Sequence, residues 1–364
     1  MKNTKQKLGD LGQHWTPLNI VRQLISLAEF RGSVLEPSSG SGAILLPLLK
    51  EGFQEVVGLE IDPSCLTEYS KPFTTIGDLF DFEGSFDTII GNPPYVAGKL
   101  LTKEQLGKIE GICPKSANLY LHFIERCASK HIKKQGELIM IVPSTLFKLS
   151  RGRKLRSWMC ANGNFTHYIS PKVSWDNADV STVIFRWVQG QNQGKVQTNT
   201  GLRSLFEHKG FVKLPDYVPF GVLGSYVSIG VGACSKKSLR KVGGQAFLCG
   251  GKIIHFDASD ASKWPRWRVT EHKHKILFSG GPTRATTLFY LTEGLVEEKV
   301  SGFHGDSFLQ CLTTPLPEVC KGLNEFFERR GVSLGCRVEG RFTVGIEELK
   351  AMPLDEELYH VLNG

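Results

Sequence analysis

The sequence predicts an α/β protein: a Rossmann-like parallel sheet with helices on both faces in the first half, then a mixed, partly β domain. Three observations predict it. Short apolar runs alternate with helix-like stretches as far as Val188. Acidic residues and a glycine turn stand where those runs end: Glu36, Gly40 and Gly42, Glu60, Asp78. Beyond Val188 the runs shorten, glycines crowd together, and aromatic and basic residues interleave, as in Lys263-Trp264-Pro265-Arg266-Trp267-Arg268.

The elements follow in order. Thr16-Pro17 reads as a helix cap with first-turn proline, opening a helix through Phe30. Ser33 to Leu35 reads as the first strand. A helix over Ala43 to Lys50 follows, with Leu45, Leu46, Leu48 and Leu49 on its apolar face. Val56 to Leu59 is a second strand, and Asp62-Pro63 caps what comes next. A third strand ends at Gly77-Asp78-Leu79-Phe80. Phe86 to Ile90, Glu137 to Val142 and Val180 to Trp187 complete the strands, with an amphipathic helix over Leu119 to Lys130. Gln189 to Thr200 is rich in Gly, Gln and Asn and reads as a linker. Two domains are expected, over residues 1–190 and 200–364.

Composition narrows the partners. The chain has 364 residues, 41% hydrophobic and 22% charged, with a net charge of +8. The excess is +4 on each side of residue 190, from 22 basic and 18 acidic residues in each part. A mild basic balance over both parts suits a polyanion held by two domains. No apolar run is long enough for a membrane helix, and Met1-Lys2-Asn3-Thr4 opens no secretory signal, so a cytoplasmic location is expected. Nine cysteines form no C-x-x-C pair, which argues for buried thiols rather than a disulfide framework or a metal site.

The glycine turn, Val34-Leu35-Glu36-Pro37-Ser38-Ser39-Gly40-Ser41-Gly42, joins the first strand to the first helix. Open α/β sheets bind nucleotides beyond such strand ends. Dinucleotide turns want a small residue three after the second glycine, and Leu45 stands there. Glu36 would repel a pyrophosphate. S-adenosylmethionine has no phosphate and carries a sulfonium and an ammonium, so an acidic turn suits it. Glu60 is placed to accept from ribose hydroxyls, with Ile61 beside it, and Asp78, with Leu79, to accept from the cofactor's adenine amine.

The fourth strand runs into Asn92-Pro93-Pro94-Tyr95. Two prolines fix the backbone and remove two N–H donors. What remains are acceptors, the Asn92 side-chain oxygen and the Pro93 carbonyl, beside the flat ring of Tyr95. An aromatic amine is a poor nucleophile because its lone pair is delocalised. Two rigid acceptors, each taking one N–H, localise that pair for direct attack on a methyl group. The sequence lacks the Pro-Cys dipeptide of cytosine ring-carbon methylation.

With these motifs in this order, the chain resembles the TaqI-like gamma group of NPPY amino-methyltransferases, which act on N6 of adenine in DNA. The resemblance implies that Gly12-Gln13-His14-Trp15-Thr16-Pro17 is the leading cofactor segment, with Thr16 and Pro17 at the methionine moiety. It implies that Trp175, five residues before Val180-Ser181, joins Tyr95 in holding a flipped base. It implies a C-terminal target-recognition domain, opening near Val227 to Ala233 and closing near Phe342 to Leu354. Arg266, Arg268, Lys273, Lys275 and Arg284 are its candidates for DNA contact. The expected protein acts as a monomer on duplex DNA, alone or beside a restriction endonuclease on a separate chain. NPPY also serves RNA adenine-N6 and protein glutamine-N5 methylation, and these remain the alternatives. The glutamine enzymes carry their extra domain before the core, whereas here it follows.

Overall fold

The computed structural model describes residues 16–147, 150–171, 181–190 and 193–231. Beyond these it describes the strands and the helix lying between 245 and 342, with residues 331 and 334, and then 346–363. Two compact units divide between Val212 and Lys213.

The first unit is built on one nine-stranded sheet in the order β3-β2-β1-β4-β5-β7-β6-β8-β9. Its strands are β1 (Ser33–Glu36), β2 (Glu55–Glu60), β3 (Thr74–Ile76), β4 (Phe86–Gly91) and β5 (Ile132–Pro143). These are followed by β6 (Gly163–Ile169), β7 (Thr182–Gln189), β8 (Lys195–Thr198) and β9 (Gly201–Ser204). β1 to β5 are mutually parallel, and β7 runs antiparallel between β5 and β6. This is the expected Rossmann-like sheet. The chain direction of assembly reverses between β1 and β4, the switch point where such sheets leave a crevice. All four residues of β1 are buried, as are the last eight of β5, the mark of strands covered on both faces.

Several elements differ from the sequence reading for physical reasons. The opening helix α1 (Leu18–Ser26) stops four residues short of Phe30, where the Glu29 and Phe30 amides instead donate to Glu137. The helix read over Ala43 to Lys50 shrinks to one turn, α2 (Leu45–Leu48). Pro47 lies inside it and has no N–H to extend the ladder. The helix from Leu119 ends at Arg126 (α4, after the short α3, Lys103–Lys108) and continues as a π-helical turn to His131. The expected boundary at 190 also gives way. β8 pairs with β6 and β9 with β8, so residues read as linker extend the sheet, and the unit runs to Val212. β8 buries only Val196 among Lys195-Val196-Gln197-Thr198, and is too polar to show an apolar run.

The second unit is mixed, as expected. β10 (Phe206–His208) and β11 (Phe211–Lys213) pair with each other at the boundary. One four-stranded sheet then has the order β12 (Val227–Val231), β19 (Ser307–Cys311), β16 (Lys275–Phe278), β17 (Phe289–Thr292), and another the order β14 (Lys252–Phe256), β13 (Gln245–Cys249), β18 (Leu295–Lys299), β15 (Trp267–Glu271). A fifteen-residue helix over Leu316–Arg330, unexpected from the sequence reading, contributes Val319, Leu323, Phe326 and Phe327 to a core with Leu349, Met352, Leu354, Leu358 and Leu362. Among the described residues no helix is long and apolar enough to cross a membrane.

Candidate active site

The parallel register sets the site. Leu35 pairs with Ile89, Glu36 with Gly58, and Glu60 with Ile76. The ends of β1, β2, β3 and β4 therefore stand side by side, and each delivers a candidate residue at or just past its last pair.

At the end of β1, Glu36 and Pro37 are buried and Ser38 and Gly40 are half-buried. Pro37 lies against the end of β4: a Cβ on Gly91 would sit 3.2 Å from Pro37 Cδ. Gly40 and Gly42 have φ of +51° and +90°, the left-handed region that glycine adopts without strain. A Cβ on Gly42 would meet Ser70 Cβ at 2.7 Å, whereas one on Gly40 would meet nothing within 4 Å. Gly42 is required by packing, and Gly40 borders open space.

Glu36 is 2% exposed, and its Oε2 has no hydrogen-bond partner among the described residues. Burial pushes its pKa well above the usual carboxylate range, and nearby Glu60 pushes the same way, against one backbone hydrogen bond from Leu45. A buried acceptor with no donor is costly, and a bound cation would satisfy it. Two observations thus fit S-adenosylmethionine, which is cationic and phosphate-free: the orphaned carboxylate oxygen and the open space at Gly40.

Glu60 ends β2. Its Oε2 accepts from Gly40 N at 2.8 Å and its Oε1 from Asp62 N at 3.0 Å, so it braces the glycine turn. Each oxygen keeps a second lone pair for a ligand hydroxyl. Ile61 beside it is 55% exposed, an apolar surface with no core to cover. Asp62 caps Pro63–Cys65, accepting from Ser64 N at 2.9 Å, as its sequence suggested. Past β3, Asp78 accepts from Phe80 N at 3.1 Å and pairs with Lys108 Nζ at 3.2 Å. Leu79 is buried, so its side chain serves the core.

Past β4, Asn92 is tied in three places. Its Nδ2 donates to Thr16 Oγ1 at 3.2 Å, its backbone carbonyl accepts from Ser38 Oγ at 3.0 Å, and its Oδ1 accepts from the Tyr95 hydroxyl at 2.6 Å. Pro17, not Thr16, occupies the cap position of α1, and no side chain caps that helix. The Thr16 hydroxyl serves Asn92 instead. Tyr95 Oη also lies 2.9 Å from the Ile141 carbonyl, and the Tyr95 ring meets Tyr120 edge to face at 5.9 Å. Burial raises the Tyr95 hydroxyl's pKa, and Tyr120 adds to the shift, so it stays a neutral donor. Pro93 is buried and Pro94 half-buried.

Sequence reasoning missed Lys108 and Tyr120. Lys108 lies 30 positions from Asp78, in a six-residue helix with no pattern pointing at the site. Cys113, His122 and Glu125 also converge, with potential ligand atoms within 4.8 Å of one another. Glu125 is already engaged, accepting from the Ile112 and Cys113 amides, which pins the loop before α4. Trp175, Arg266, Lys273 and Arg284 lie outside the described residues, and Arg268 and Lys275 are described only as strand positions in β15 (Trp267–Glu271) and β16 (Lys275–Phe278).

Residues 53–173 match the Eco57I restriction-modification methylase family. The chain is 32% identical over 203 residues to the Type II methyltransferase M.HincII of Haemophilus influenzae, covering 50% of this chain and 38% of that one. It is 31% identical over 201 residues to the Type II methyltransferase M.TthHB8I of Thermus thermophilus, covering 50% and 45%. It is 31% identical over 156 residues to the Modification methylase CviBIII of Paramecium bursaria Chlorella virus NC1A, covering 39% and 40%. The chain thus spans less than half the length of these relatives. Over the segment that carries Glu60, Asp78 and Asn92 to Tyr95, it is similar to the restriction-modification methylases of the Eco57I family.

Proposed function

We propose that the chain transfers a methyl group from S-adenosylmethionine to the exocyclic N6 of adenine at specific sites in duplex DNA. The observation that carries this is Asn92 at the end of β4. Its acceptor oxygen heads a rigid Pro-Pro segment, and its amide and carbonyl are tied to Thr16 and Ser38 of the two segments assigned to the cofactor.

S-adenosylmethionine supplies, when bound, an electrophilic methyl on a sulfonium. Glu36 offers its orphaned carboxylate to a cation, and Glu60 and Asp78 offer acceptors to hydroxyl and amino groups. Asn92 Oδ1 and the Pro93 carbonyl accept hydrogen bonds from the two N–H groups of the target amine, drawing its lone pair out of the ring. Preorganised acceptors of this kind act where charge develops and need no rearrangement at the moment of reaction. Because that amine lies inside the duplex, the base must leave the stack to reach Asn92. Tyr95 and Trp175 are its assigned supports. The Tyr95 ring packs on Tyr120 along one edge, so it arrives pre-positioned.

Residues 213–364 are assigned to target recognition, with Arg266, Arg268, Lys273, Lys275 and Arg284 reaching DNA. The names of the relatives, modification methylases and Type II methyltransferases, support a role in modification. A cognate endonuclease would then be a separate chain, and the enzyme would act as a monomer.

The test uses tritiated S-adenosylmethionine with mixed-sequence duplex DNA, ribosomal RNA and a release factor, and Asn92→Ala as control. N6-methyladenine in DNA, absent from the control, is the expected product. Label in RNA or in glutamine would overturn the substrate, and label retained by Asn92→Ala would overturn the role of Asn92.

A further inference from the structure

We infer that Thr16 is a positioning residue for Asn92: its hydroxyl holds the donor end of the amide, so that the acceptor end keeps its place opposite the target amine. The inference rests on the methyl-transfer reading and deepens it.

A side-chain amide is nearly symmetric in shape and opposite in chemistry at its two ends. Oδ1 accepts and Nδ2 donates. A target amine brings two N–H groups, so only Oδ1 is of use to it. An amide turned round, or tilted away, presents a donor to a donor. Something must therefore restrain the last torsion of Asn92, which is intrinsically broad in asparagine.

Two hydroxyls touch this amide. Tyr95 donates to Oδ1 at 2.6 Å, but its single proton has a second acceptor, the Ile141 carbonyl at 2.9 Å. Tyr95 therefore holds the acceptor end through a shared proton. Thr16 Oγ1 takes Nδ2 at 3.2 Å from a segment 76 residues away, on the opposite end of the amide. With both ends tied, rotation of Asn92 breaks two bonds rather than one. Thr16 is free for this work because it does not cap α1, whose cap position falls on Pro17. Ser38 fixes the backbone carbonyl of the same residue and leaves the amide torsion alone, so the restraint on the donor end of the amide belongs to Thr16.

The test compares Thr16→Val, which keeps the shape and removes the hydroxyl, with Thr16→Ser, which restores it. Single-turnover methyl transfer is measured at saturating S-adenosylmethionine, and cofactor affinity by calorimetry. One hydrogen bond of ordinary net strength predicts that Thr16→Val slows transfer about 3- to 10-fold. Thr16 also lies in a segment assigned to the cofactor, so affinity is measured apart from the rate, and saturation keeps any loss of affinity out of the transfer step. Thr16→Ser should recover most of the rate. A loss that appears only in cofactor affinity would overturn the inference, as would a serine variant as slow as valine. Nitrogen-15 spectra of the Asn92 side-chain NH2 pair, assigned by its loss in Asn92→Asp, give a readout independent of activity. The pair should shift and exchange faster with solvent in Thr16→Val. If the wild-type chain methylates no DNA, the methyl-transfer reading fails by itself, and unchanged Asn92 signals in Thr16→Val would separately sink the positioning role.

Discussion

Replacing Glu36 by Gln should stabilise the protein without cofactor and weaken its response to cofactor, two effects of opposite sign from one buried charge. Glu36 is 2% exposed, with an unpartnered Oε2 and a pKa raised first by burial, and further by Glu60, against the Leu45 hydrogen bond. The folded state therefore binds this proton more tightly than the unfolded state. The stability from protonated Glu36 is complete below the ordinary value of 4.5 and is lost as pH rises through the raised folded value. At neutral pH the cost is the desolvation of an acceptor with no donor, roughly 1–3 kcal/mol. Gln carries no charge at any pH, so the cofactor-free variant should gain about that much, with about 2–4 °C in Tm for each kcal/mol in a unit of this size. The gain should shrink as pH falls. Thermal unfolding at several pH values, with and without S-adenosylmethionine, measures both effects. Ligand stabilisation follows the ratio of concentration to Kd, so the variant's shift on adding cofactor should be smaller. A cofactor-free variant less stable than wild type at neutral pH would refute the electrostatic reasoning. An unchanged cofactor shift would refute the placement of Glu36 at the cationic ligand.

The glycine turn and the sheet interior give further tests. Gly42→Ala must adopt a left-handed backbone, at roughly 1–2 kcal/mol, and drive a Cβ to 2.7 Å from Ser70 Cβ. Gly40→Ala bears only the backbone term, so denaturant midpoints should separate the two by about 1–3 kcal/mol, the usual cost of overpacking. Equal losses would show that the Ser70 contact yields. Glu137, wholly buried, accepts from Arg186, Thr88 and the Glu29 and Phe30 amides. Glu137→Ala leaves Arg186 buried and unpaired on that side and should cost about 3–5 kcal/mol by urea unfolding. Glu29→Ala removes the 65% exposed partner of the same arginine and should cost less than about 1 kcal/mol. Similar costs for the two would mean that the buried pair carries no special weight.

How much of this fold is legible in sequence depends on what each element buries. β1, β2, β4 and β5 are near-continuous apolar runs because both faces are covered, and they stand out. β8 and β9 escape notice because Val196 is the one buried residue between them, too little to make an apolar run. α2 was overextended because four leucines outweighed one proline. The helix over Leu316–Arg330 did carry a signal. Val319, Leu323, Phe326 and Phe327 follow helical spacing, but they stand in a region whose glycine-rich segments read as β structure.

The site was legible as residue types, and its connectivity follows from register. Leu35 pairs with Ile89 in a parallel ladder, so residues equally far beyond the pair emerge together. Three residues on, Ser38 meets Asn92, and that is the observed hydrogen bond between the glycine turn and the Asn-Pro-Pro-Tyr segment. Glu36 pairs with Gly58, so Glu60 emerges two residues beyond it and reaches back to Gly40. Glu60 in turn pairs with Ile76, so Asp78 emerges two residues further along the same edge. Each acidic residue thus stands one step farther round the crevice than the last. The tie from Thr16 to Asn92 is different in kind, because it comes from a segment outside the sheet and no ladder dictates it. One residue inserted between Gly91 and Asn92 would carry Asn92 past Ser38 and Thr16 together while leaving every strand pair intact. Such an insertion should abolish methyl transfer in a protein whose Tm scarcely moves, and a retained rate would show that the register does not set the site.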